Sequence, residues 1–290
     1  MISVTEAIET LLEGSRRLVE PESVELMTAT GRTLADDLVS PVYVPPADNS
    51  AMDGYALCFA DWPGAEAELS LSQRITAGSV PSELKPGTAA RIFTGAAVPP
   101  GADTVVMQEN CEESETGVRI LKMPAQGANI RPRGQDVEKG QTVLRAGQRL
   151  RPQEIGLAAS LGFARVSVYR RLKVAVLSTG DELVDPGAKA GPGQIYNSNR
   201  FTMNAQLAAW GFEVVDMGVA RDEFDVVKDM MLEAAERADV IITSGGVSVG
   251  EEDHVKAVVA ELGDLGLWRI AVKPGKPFAF GNVRGTPFLG

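Results

Sequence analysis

Apolar residues recur at helical spacing between positions 4 and 12, at the start of the chain. Ser3 and Glu6 have the S-x-x-E spacing of an N-terminal capping box. Pro21 interrupts the periodicity, because proline does not fit the interior of a helix. The pattern therefore predicts a helix that begins after Ser3 and ends before Pro21.

Short β-prone runs replace this pattern between residues 50 and 145: Arg91–Thr94, Thr104–Met107 and Val118–Leu121. Turns rich in glycine and proline separate them, which is typical of a small, mostly antiparallel sheet. Helical spacing returns at 152–161, where Pro152 suits the first helical position and Gly162 the C-terminal cap. We therefore predict an elongated N-terminal domain at 1–49 and 141–170, interrupted by a β-rich module at 50–140.

Strands and helices alternate from residue 171 to the end, which predicts a doubly wound α/β domain at 171–290. Its first strand, Lys173–Ser178, is a continuous apolar run of the kind buried on both faces of a parallel sheet. Helices are expected near 200–210, 224–231 and 254–262, and further strands at 214–218, 240–243, 268–272 and 278–280. Residues 287–290 form a strand-like end without a helix to pack on it, which indicates that the fold is completed elsewhere or that the chain is a fragment.

Composition limits the class of protein. With 290 residues, 44% hydrophobic and 23% charged, the chain is typical of globular proteins, so whole-chain disorder and fibrous repeats are excluded. We see no apolar run of the ~18–20 residues that span a bilayer, and the N-terminus lacks the features of a signal peptide. Two cysteines do not make a disulfide scaffold, and a single histidine, His254, argues against a zinc site. We expect a cytoplasmic protein that does not bind membranes.

The net charge of −11 argues against a nucleic-acid binder, because no basic stripe is present. An anionic ligand would have to be bound locally, against the field of the whole molecule.

Two loops follow predicted parallel strands, where open α/β sheets bind ligands. Residues 178–182 (STGDE) and 244–253 (SGGVSVGEED) combine small residues with carboxylates. Glycine amides and hydroxyls suit an anion, whereas the carboxylates suit Mg²⁺. Each loop alone is equally well explained as a tight turn with a helix cap. Their occurrence at neighbouring strand ends favours a ligand site.

Three further segments are weaker candidates. Lys273 and Lys276 flank a Pro-Gly turn and could hold an oxyanion; the local sequence slightly favours a solvated turn, and the expected position beside the two loops adds weight to the oxyanion site. Asp53 lies in a loop of short polar side chains that could face a ligand or form an Asx-type turn. The segments at Thr94 and at 131–136 are similar but less distinctive.

Five segments of the chain resemble the molybdopterin molybdenumtransferase family, which is related to the E domain of gephyrin. They are NSAMDGYA at 49–56, IFTGAAVPPGADTVVMQE at 92–109, STGDEL at 178–183, SGGVSVGEEDH at 244–254 and KPGKPFAFG at 273–281. The resemblance covers almost the whole chain, in order, and it implies an α/β molybdopterin-binding domain at 171–290.

This resemblance implies a reaction in which adenylyl-molybdopterin and molybdate give molybdenum cofactor and AMP, with Mg²⁺. It also implies a homodimer whose active cleft combines the α/β domain of one subunit with the N-terminal domain of the other. The catalytic positions carried over are Asp53, Thr94, Asp136, Glu182, Asp222, Asp253, Lys273 and Lys276. Those for the pterin substrate are Thr179, Gly180, Ser244, Gly245, Gly246, Ser248 and Pro277, and those for the metal are Asp253 and Glu182.

The family continues with a Gly-Asn-Pro loop, a closing helix and a small β domain, so we expect the α/β domain of this form to be incomplete and its activity poor or absent. Two alternatives remain. A molybdopterin adenylyltransferase resembles residues 171–290 only, and NSAMDGYA argues against it. A non-catalytic scaffold of the gephyrin type would not need the carboxylates and lysines. Whether the adenylyltransferase is a partner is left open.

Overall fold

The computed structural model describes residues 1–246, 254–272 and 277–290. Its helices are α1 Val4–Glu13, α2 Pro152–Ser160, α3 Ser198–Ala209, α4 Phe224–Arg237 and α5 His254–Leu262. Its strands are β1 Pro21–Glu25, β2 Leu38–Val39, β3 Asn49–Ser50, β4 Gly54–Leu57, β5 Glu68–Ile75, β6 Ala89–Ile92, β7 Thr104–Met107, β8 Cys111–Glu113, β9 Gly117–Ile120, β10 Ile130–Arg131, β11 Thr142–Leu144, β12 Arg165–Tyr169, β13 Lys173–Thr179, β14 Leu183–Val184, β15 Ile195–Tyr196, β16 Glu213–Ala220, β17 Val240–Ser244, β18 Leu265–Arg269, β19 Pro277–Val283 and β20 Thr286–Leu289. Short 3-10 turns lie at Leu26–Thr28, Phe59–Asp61 and Gln108–Asn110.

The chain folds into two compact units, and each is discontinuous in sequence. The first, the α/β unit, comprises Met1–Ala35, Arg149–Arg151 and Arg165–Gly290. The second, the β unit, comprises Asp36–Gln148 and Pro152–Ala164.

A six-stranded sheet organises the α/β unit, in the order β16-β13-β17-β20-β19-β18. The first four strands are parallel, as predicted for a doubly wound domain, whereas β19 and β18 run antiparallel to their neighbours. Alternate residues of β13 face opposite sides: Ala175 and Leu177 pack with α4 and α5, and Val174 and Val176 pack with α3. Burial on both faces explains why this strand is a continuous apolar run.

Two strand predictions at the end of the chain need correction. The strand predicted at 268–272 lies at Leu265–Arg269, because its partner is β19, in which Gly281 faces Leu265. A Cβ at Gly281 would lie 2.0 Å from the Asp264 carbonyl oxygen, so glycine is required for this close pairing. The last strand, β20, is not unpacked: it lies between β17 and β19, and Phe288 is fully buried.

The N-terminal part of the α/β unit agrees with its predicted helix. The Ser3 hydroxyl accepts a hydrogen bond from the Glu6 amide at 3.1 Å, which caps α1. The chain then forms β1, which pairs antiparallel with β12, so that Pro21 lies opposite Tyr169.

The β unit is built on a second six-stranded sheet, in the order β7-β4-β6-β5-β9-β8. All of its strand pairs are antiparallel except β5 with β6, so the expected mostly antiparallel character holds. Short pairs, β2 with β11 and β3 with β10, accompany the sheet. The core contains Ile92, Val105 and Val118 among its fully buried side chains.

The described parts of the chain contain no helix long and apolar enough to cross a membrane.

Candidate functional site

Three parallel strands of the α/β unit end side by side, and the predicted loops follow them. In the sheet, β13 lies between β16 and β17, so Thr179, Ala220 and Ser244 end neighbouring strands at the same edge. Ligands bind at this edge of open α/β sheets. The two loops therefore start at neighbouring strand ends, as the sequence predicted, and we call this region the carboxyl edge.

Gly245 and Gly246 cross the end of β13 in close contact with it. A Cβ at Gly245 would lie 2.8 Å from the Thr179 carbonyl oxygen, and one at Gly246 would lie 2.3 Å from Cγ2 of Val255, in the first turn of α5. Both glycines have positive φ angles, 98° and 70°. Only glycine fits both the close contact and the positive φ angle at these positions. Because glycine has no side chain, the backbone amides of this segment are open to a ligand.

The carboxylate of Glu182 folds back over Gly180. A Cβ at Gly180, whose φ angle is 142°, would lie 2.5 Å from Oε2 of Glu182. The absence of a side chain at Gly180 thus gives the Glu182 carboxylate its position beside the end of β13. This brings together two of the residues predicted for the site.

Asp222, just beyond β16, contacts the same group of acidic residues. Its backbone amide donates a hydrogen bond to Oδ1 of Asp181 at 3.3 Å. Burial raises the pKa of Asp222, and the negative charges of Asp181 and Glu182 raise it further, whereas His254 opposes the shift. The carboxylates of Asp181, Glu182 and Asp222 are thus close enough at this end of the sheet for their charges to interact.

Buried polar atoms without partners lie beneath the carboxyl edge. Within the described residues, the hydroxyl of Ser178 and Nδ2 of Asn197 make no hydrogen bond, and both residues are at most 2% exposed. Ser244 is partnered, because its hydroxyl accepts a hydrogen bond from Nδ2 of Asn199 at 3.2 Å. Unsatisfied buried groups are costly, so these two atoms mark a local cost in free energy below the surface of the carboxyl edge.

Sequence reasoning included Asp181 within the loop 178–182 without giving it a role, and it missed Asn197, Asn199 and Arg200 of this region. Asn197 caps α3 by accepting a hydrogen bond from the Arg200 amide at 3.2 Å, and asparagine before a helix was a usable signal. The Arg200 guanidinium binds both oxygens of Asp216 and of Asp185, which sequence spacing could not reveal. The interaction with Arg200 holds the pKa of Asp216 below its usual range.

Asp53 and Thr94 come together in the β unit, although 41 positions separate them in sequence. Oδ1 of Asp53 accepts hydrogen bonds from the backbone amide and the hydroxyl of Thr94, each at 2.8 Å. These two bonds lower the pKa of Asp53, and the nearby charge of Arg91 adds to the effect. The pair presents an ionised carboxylate on an exposed surface, and its free oxygen can accept a bond from a ligand.

Asp136, the third acidic position predicted in this unit, forms an ion pair with Arg131. Arg131 is register-paired with Asn49, four residues before Asp53. Strand β3 thus links the Asp136 segment to the Asp53 segment.

Four predicted site residues, Ser248, Asp253, Lys273 and Lys276, lie outside the described residues. Pro277 starts β19, which runs antiparallel to β20, so it lies at the carboxyl edge two strands from β17. Over the described ranges 1–246, 254–272 and 277–290, no group of three acidic, histidine or cysteine side chains is placed to hold a metal ion.

Two protein-family profiles match the chain. The family described as "MoeA N-terminal region (domain I and II)" matches residues 2–162, and the one described as "Probable molybdopterin binding domain" matches residues 175–288. The second match contains the carboxyl edge, and the first contains Asp53, Thr94 and Asp136.

Individual relatives agree with these matches. A molybdopterin molybdenumtransferase from Haemophilus influenzae is 44% identical over all of this chain and 72% of its own length. One from Nostoc sp. is 40% identical over 92% of this chain and 63% of its own length. The crystal structure of a molybdopterin biosynthesis MoeA protein from Pyrococcus horikoshii covers the whole chain with a TM-score of 0.86 at 34% identity, and 74% of that protein is matched. The chain thus spans about two thirds to three quarters of the length of these relatives.

Proposed function

Because this chain belongs to the molybdopterin molybdenumtransferase family, a family of transferases in molybdenum cofactor biosynthesis, we propose that it inserts molybdenum from molybdate into adenylyl-molybdopterin. The products are molybdenum cofactor and AMP. Molybdate and adenylyl-molybdopterin are both substrates.

The observation that carries this proposal is the carboxyl edge of the α/β unit. Gly245 and Gly246 leave backbone amides open beside Thr179, which suits the phosphate of the pterin substrate. Asp181, Glu182 and Asp222 lie at the same edge but would repel a phosphate.

We propose that Mg²⁺ resolves this conflict, with Glu182 and Asp253 as its ligands. Carboxylate oxygen is the donor that Mg²⁺ prefers, and the pKa of Asp222 is raised first by burial and then by the negative charges of Asp181 and Glu182. A bound Mg²⁺ would polarise the phosphoryl oxygens at which AMP is released. Glu182 and Asp222 contribute the negative charge that attracts the cation, and Lys273 and Lys276 bind the oxyanion charge of molybdate or phosphate.

The direct test is AMP release from adenylyl-molybdopterin upon addition of molybdate, with the Haemophilus influenzae relative as the positive control. In whichever protein is active, Asp222→Asn or its equivalent should lower the rate at least about tenfold, through loss of charge at the carboxyl edge. Asp229→Asn, which removes one exposed carboxylate from α4, is the matched control and should leave the rate unchanged. If this chain released no AMP while the relative did, the expectation of poor activity in the 290-residue form would hold.

Metal dependence is tested in the same assay. Titration with Mg²⁺ after chelation should restore AMP release, and Asp253→Ala should shift the midpoint to higher Mg²⁺ concentration. Unchanged AMP release at limiting Mg²⁺ in the Asp253 variant would remove Asp253 from the metal site.

We also propose that the chain acts as a homodimer whose active cleft combines the carboxyl edge of one subunit with Asp53 and Thr94 of the other. The support is that the predicted functional residues fall in two separate compact units. Asp53 and Thr94 form a polar cluster in the β unit, and Asp222 belongs to another in the α/β unit, so each unit contains only part of the predicted catalytic residues.

A cytoplasmic location fits this function. Cys58 and Cys111 are free thiols, and burial raises the pKa of Cys111 to about 11, so that it stays protonated and unreactive. Thiols persist in reducing compartments. Cell fractionation of the tagged chain would test this location.

A further inference from the structure

The β unit contains a cleft of about 550 Å³ that none of the predicted site residues lines. Its wall consists of Leu71, Ser72, Gln73 and Arg74 of β5, Arg91 of β6, Phe93 and Glu113. We call it the arginine cleft.

Two guanidinium groups in this cleft converge on one aromatic ring. Arg74 and Arg91 are register partners on neighbouring strands, so their side chains leave the same face of the sheet. The guanidinium carbon of Arg74 lies 4.8 Å from the centre of the Phe93 ring, and that of Arg91 lies 4.6 Å from it. Cation–π contacts of this kind hold both cations in place before any ligand arrives.

Arg91 is fixed by further contacts that leave part of its guanidinium available. It donates to the Gly54 carbonyl oxygen at 2.9 Å and to Oε1 of Gln108 at 2.7 Å, and it lies 5.0 Å from the centre of the Tyr55 ring. Neither acceptor of these bonds is a carboxylate. A guanidinium has five N–H donors, so Arg91 retains donors for a ligand.

Arg74 makes fewer contacts within the protein than Arg91. In the part of the chain that the structure describes, its guanidinium contacts Phe93 but makes no hydrogen bond or ion pair. An exposed arginine held by a ring, with all of its donors unused, is suited to bind an oxyanion in a fixed geometry.

One carboxylate, Glu113, also lines the cleft. Its Oε2 accepts a hydrogen bond from the Tyr55 hydroxyl at 2.8 Å, so part of its charge is already compensated within the protein. The wall of the cleft thus carries two guanidinium charges and one carboxylate, while Asp53, outside the wall, also interacts with the charge of Arg91. In a chain with a net charge of −11, this is a local reversal of the overall field.

We propose that the arginine cleft binds a tetrahedral oxyanion through Arg74 and Arg91, with Phe93 orienting both. The oxyanion is either free, as in molybdate or phosphate, or carried on an ester, as in a nucleoside monophosphate. All residues of this binding site belong to the β unit, and the inference does not depend on the proposed reaction.

Isothermal titration calorimetry of the 290-residue chain with molybdate, inorganic phosphate and AMP tests the proposal. Arg74→Gln and Arg91→Gln should each weaken binding about tenfold or more, because each removes a charged donor. Arg145→Gln removes the same charge from an exposed position of the same unit and should change the affinity less than about twofold. Tighter binding of AMP than of phosphate would identify the ligand as an oxyanion carried on an ester. Tighter binding of molybdate than of AMP would identify it as a free oxyanion.

Two more variants distinguish a site from a general charge effect. Arg74→Lys keeps the charge but loses the planar fork, so an intermediate affinity is expected. Glu113→Gln removes the negative charge in the cleft and should strengthen oxyanion binding about two- to threefold. Near-UV circular dichroism of each variant shows whether the β unit remains folded. Equal affinity in the wild type, Arg74→Gln and Arg91→Gln, all folded, would overturn the proposal, as would weaker binding in Glu113→Gln.

Discussion

Asp53 and Asp222 are both aspartates of the candidate site, and their surroundings move their pKa values in opposite directions. Asp53 accepts two hydrogen bonds from Thr94, which favour its ionised form. Asp222 loses hydration and faces the charges of Asp181 and Glu182, which disfavour its ionised form. Asp53 therefore stays ionised in mildly acidic solution, whereas Asp222 gains from a neutralising cation.

Replacing Thr94 tests the first half of this contrast. Thr94→Val removes the hydroxyl donor but keeps the amide, so the pKa of Asp53 should rise without returning fully to its usual value, since the amide bond is the larger cause. Carbon-detected NMR titration of the Asp53 carboxyl measures the shift, and Thr142→Val, at an exposed position of β11, is the control. An unshifted Asp53 in Thr94→Val would contradict the assignment.

Asp222 leads to a prediction on stability. When folding raises the pKa of a carboxyl group, the group stabilises the folded state most at a pH below its pKa in the unfolded chain. This contribution to the free energy of unfolding is lost as the pH rises through the pKa of the folded state. Asp222→Asn should therefore raise the Tm by about 1 °C near pH 7, a small effect because solvent screens a partly exposed group. Near pH 4 the difference should shrink, and thermal melts at the two pH values would measure it. A lower Tm in the variant at pH 7 would contradict this explanation.

At the scale of elements, the contact between the β17–α5 loop and β13 shapes the carboxyl edge. Gly246 lies between Thr179 and Val255, so the start of α5 approaches the end of β13 more closely than a side chain would allow. This close approach brings the first turn of α5 to the end of the parallel strands, where helix N-termini favour anions.

Gly246→Ala should push these elements apart. The new Cβ would overlap Cγ2 of Val255 and would also occupy a positive φ of 70°, so we expect a loss of about 2–3 kcal/mol in the free energy of unfolding. Gly193→Ala isolates the backbone part, because Gly193 has a similar φ of 80° and no neighbour within 4 Å, and it should cost about 1 kcal/mol. Urea unfolding followed by circular dichroism compares the two variants. Equal losses would show that the contact with Val255 does not matter.

Elements governed by local patterns were predictable, and those governed by pairing across the chain were less so. Helix α1 and strand β13 follow from periodicity and apolar runs close to their observed bounds. Strand β18 was misplaced by three residues, since its bounds depend on pairing with β19 and on Gly281. In the same way, the loops at the carboxyl edge were predictable from strand order. The ion pairs of Arg200 with Asp185 and Asp216 were not predictable. The aspartates lie 15 and 16 positions from Arg200, and nothing in the sequence distinguishes these three charged residues from solvated surface residues.

At the scale of the whole molecule, the predicted residues are divided between two units, and the proposed dimer unites them from different subunits. This arrangement has a genetic signature. Suppose that one subunit carries a substitution in its β unit and the other carries one in its α/β unit. Both substitutions then lie in the same cleft, and the second cleft of the dimer is built from unchanged units.

Mixing Asp53→Asn subunits with Asp222→Asn subunits should therefore restore AMP release, provided each variant alone is inactive. With random exchange, about a quarter of the wild-type activity is expected, since half of the dimers are mixed and each has one intact cleft. Sedimentation velocity confirms that dimers are present at the assay concentration. If each cleft were built within one subunit, every cleft in the mixture would carry a lesion and no activity would return.

The pairing of β1 with β12 bears on how the chain folds during its synthesis. Residues 21–25 can pair only after residues 165–169 have been made, and the whole β unit lies between these two segments in sequence. The ribosome thus completes the inserted unit before the earlier unit receives its partner strand. Because domains generally fold as units while the chain emerges, the β unit is expected to fold first, and β1 remains without its partner strand until translation reaches β12.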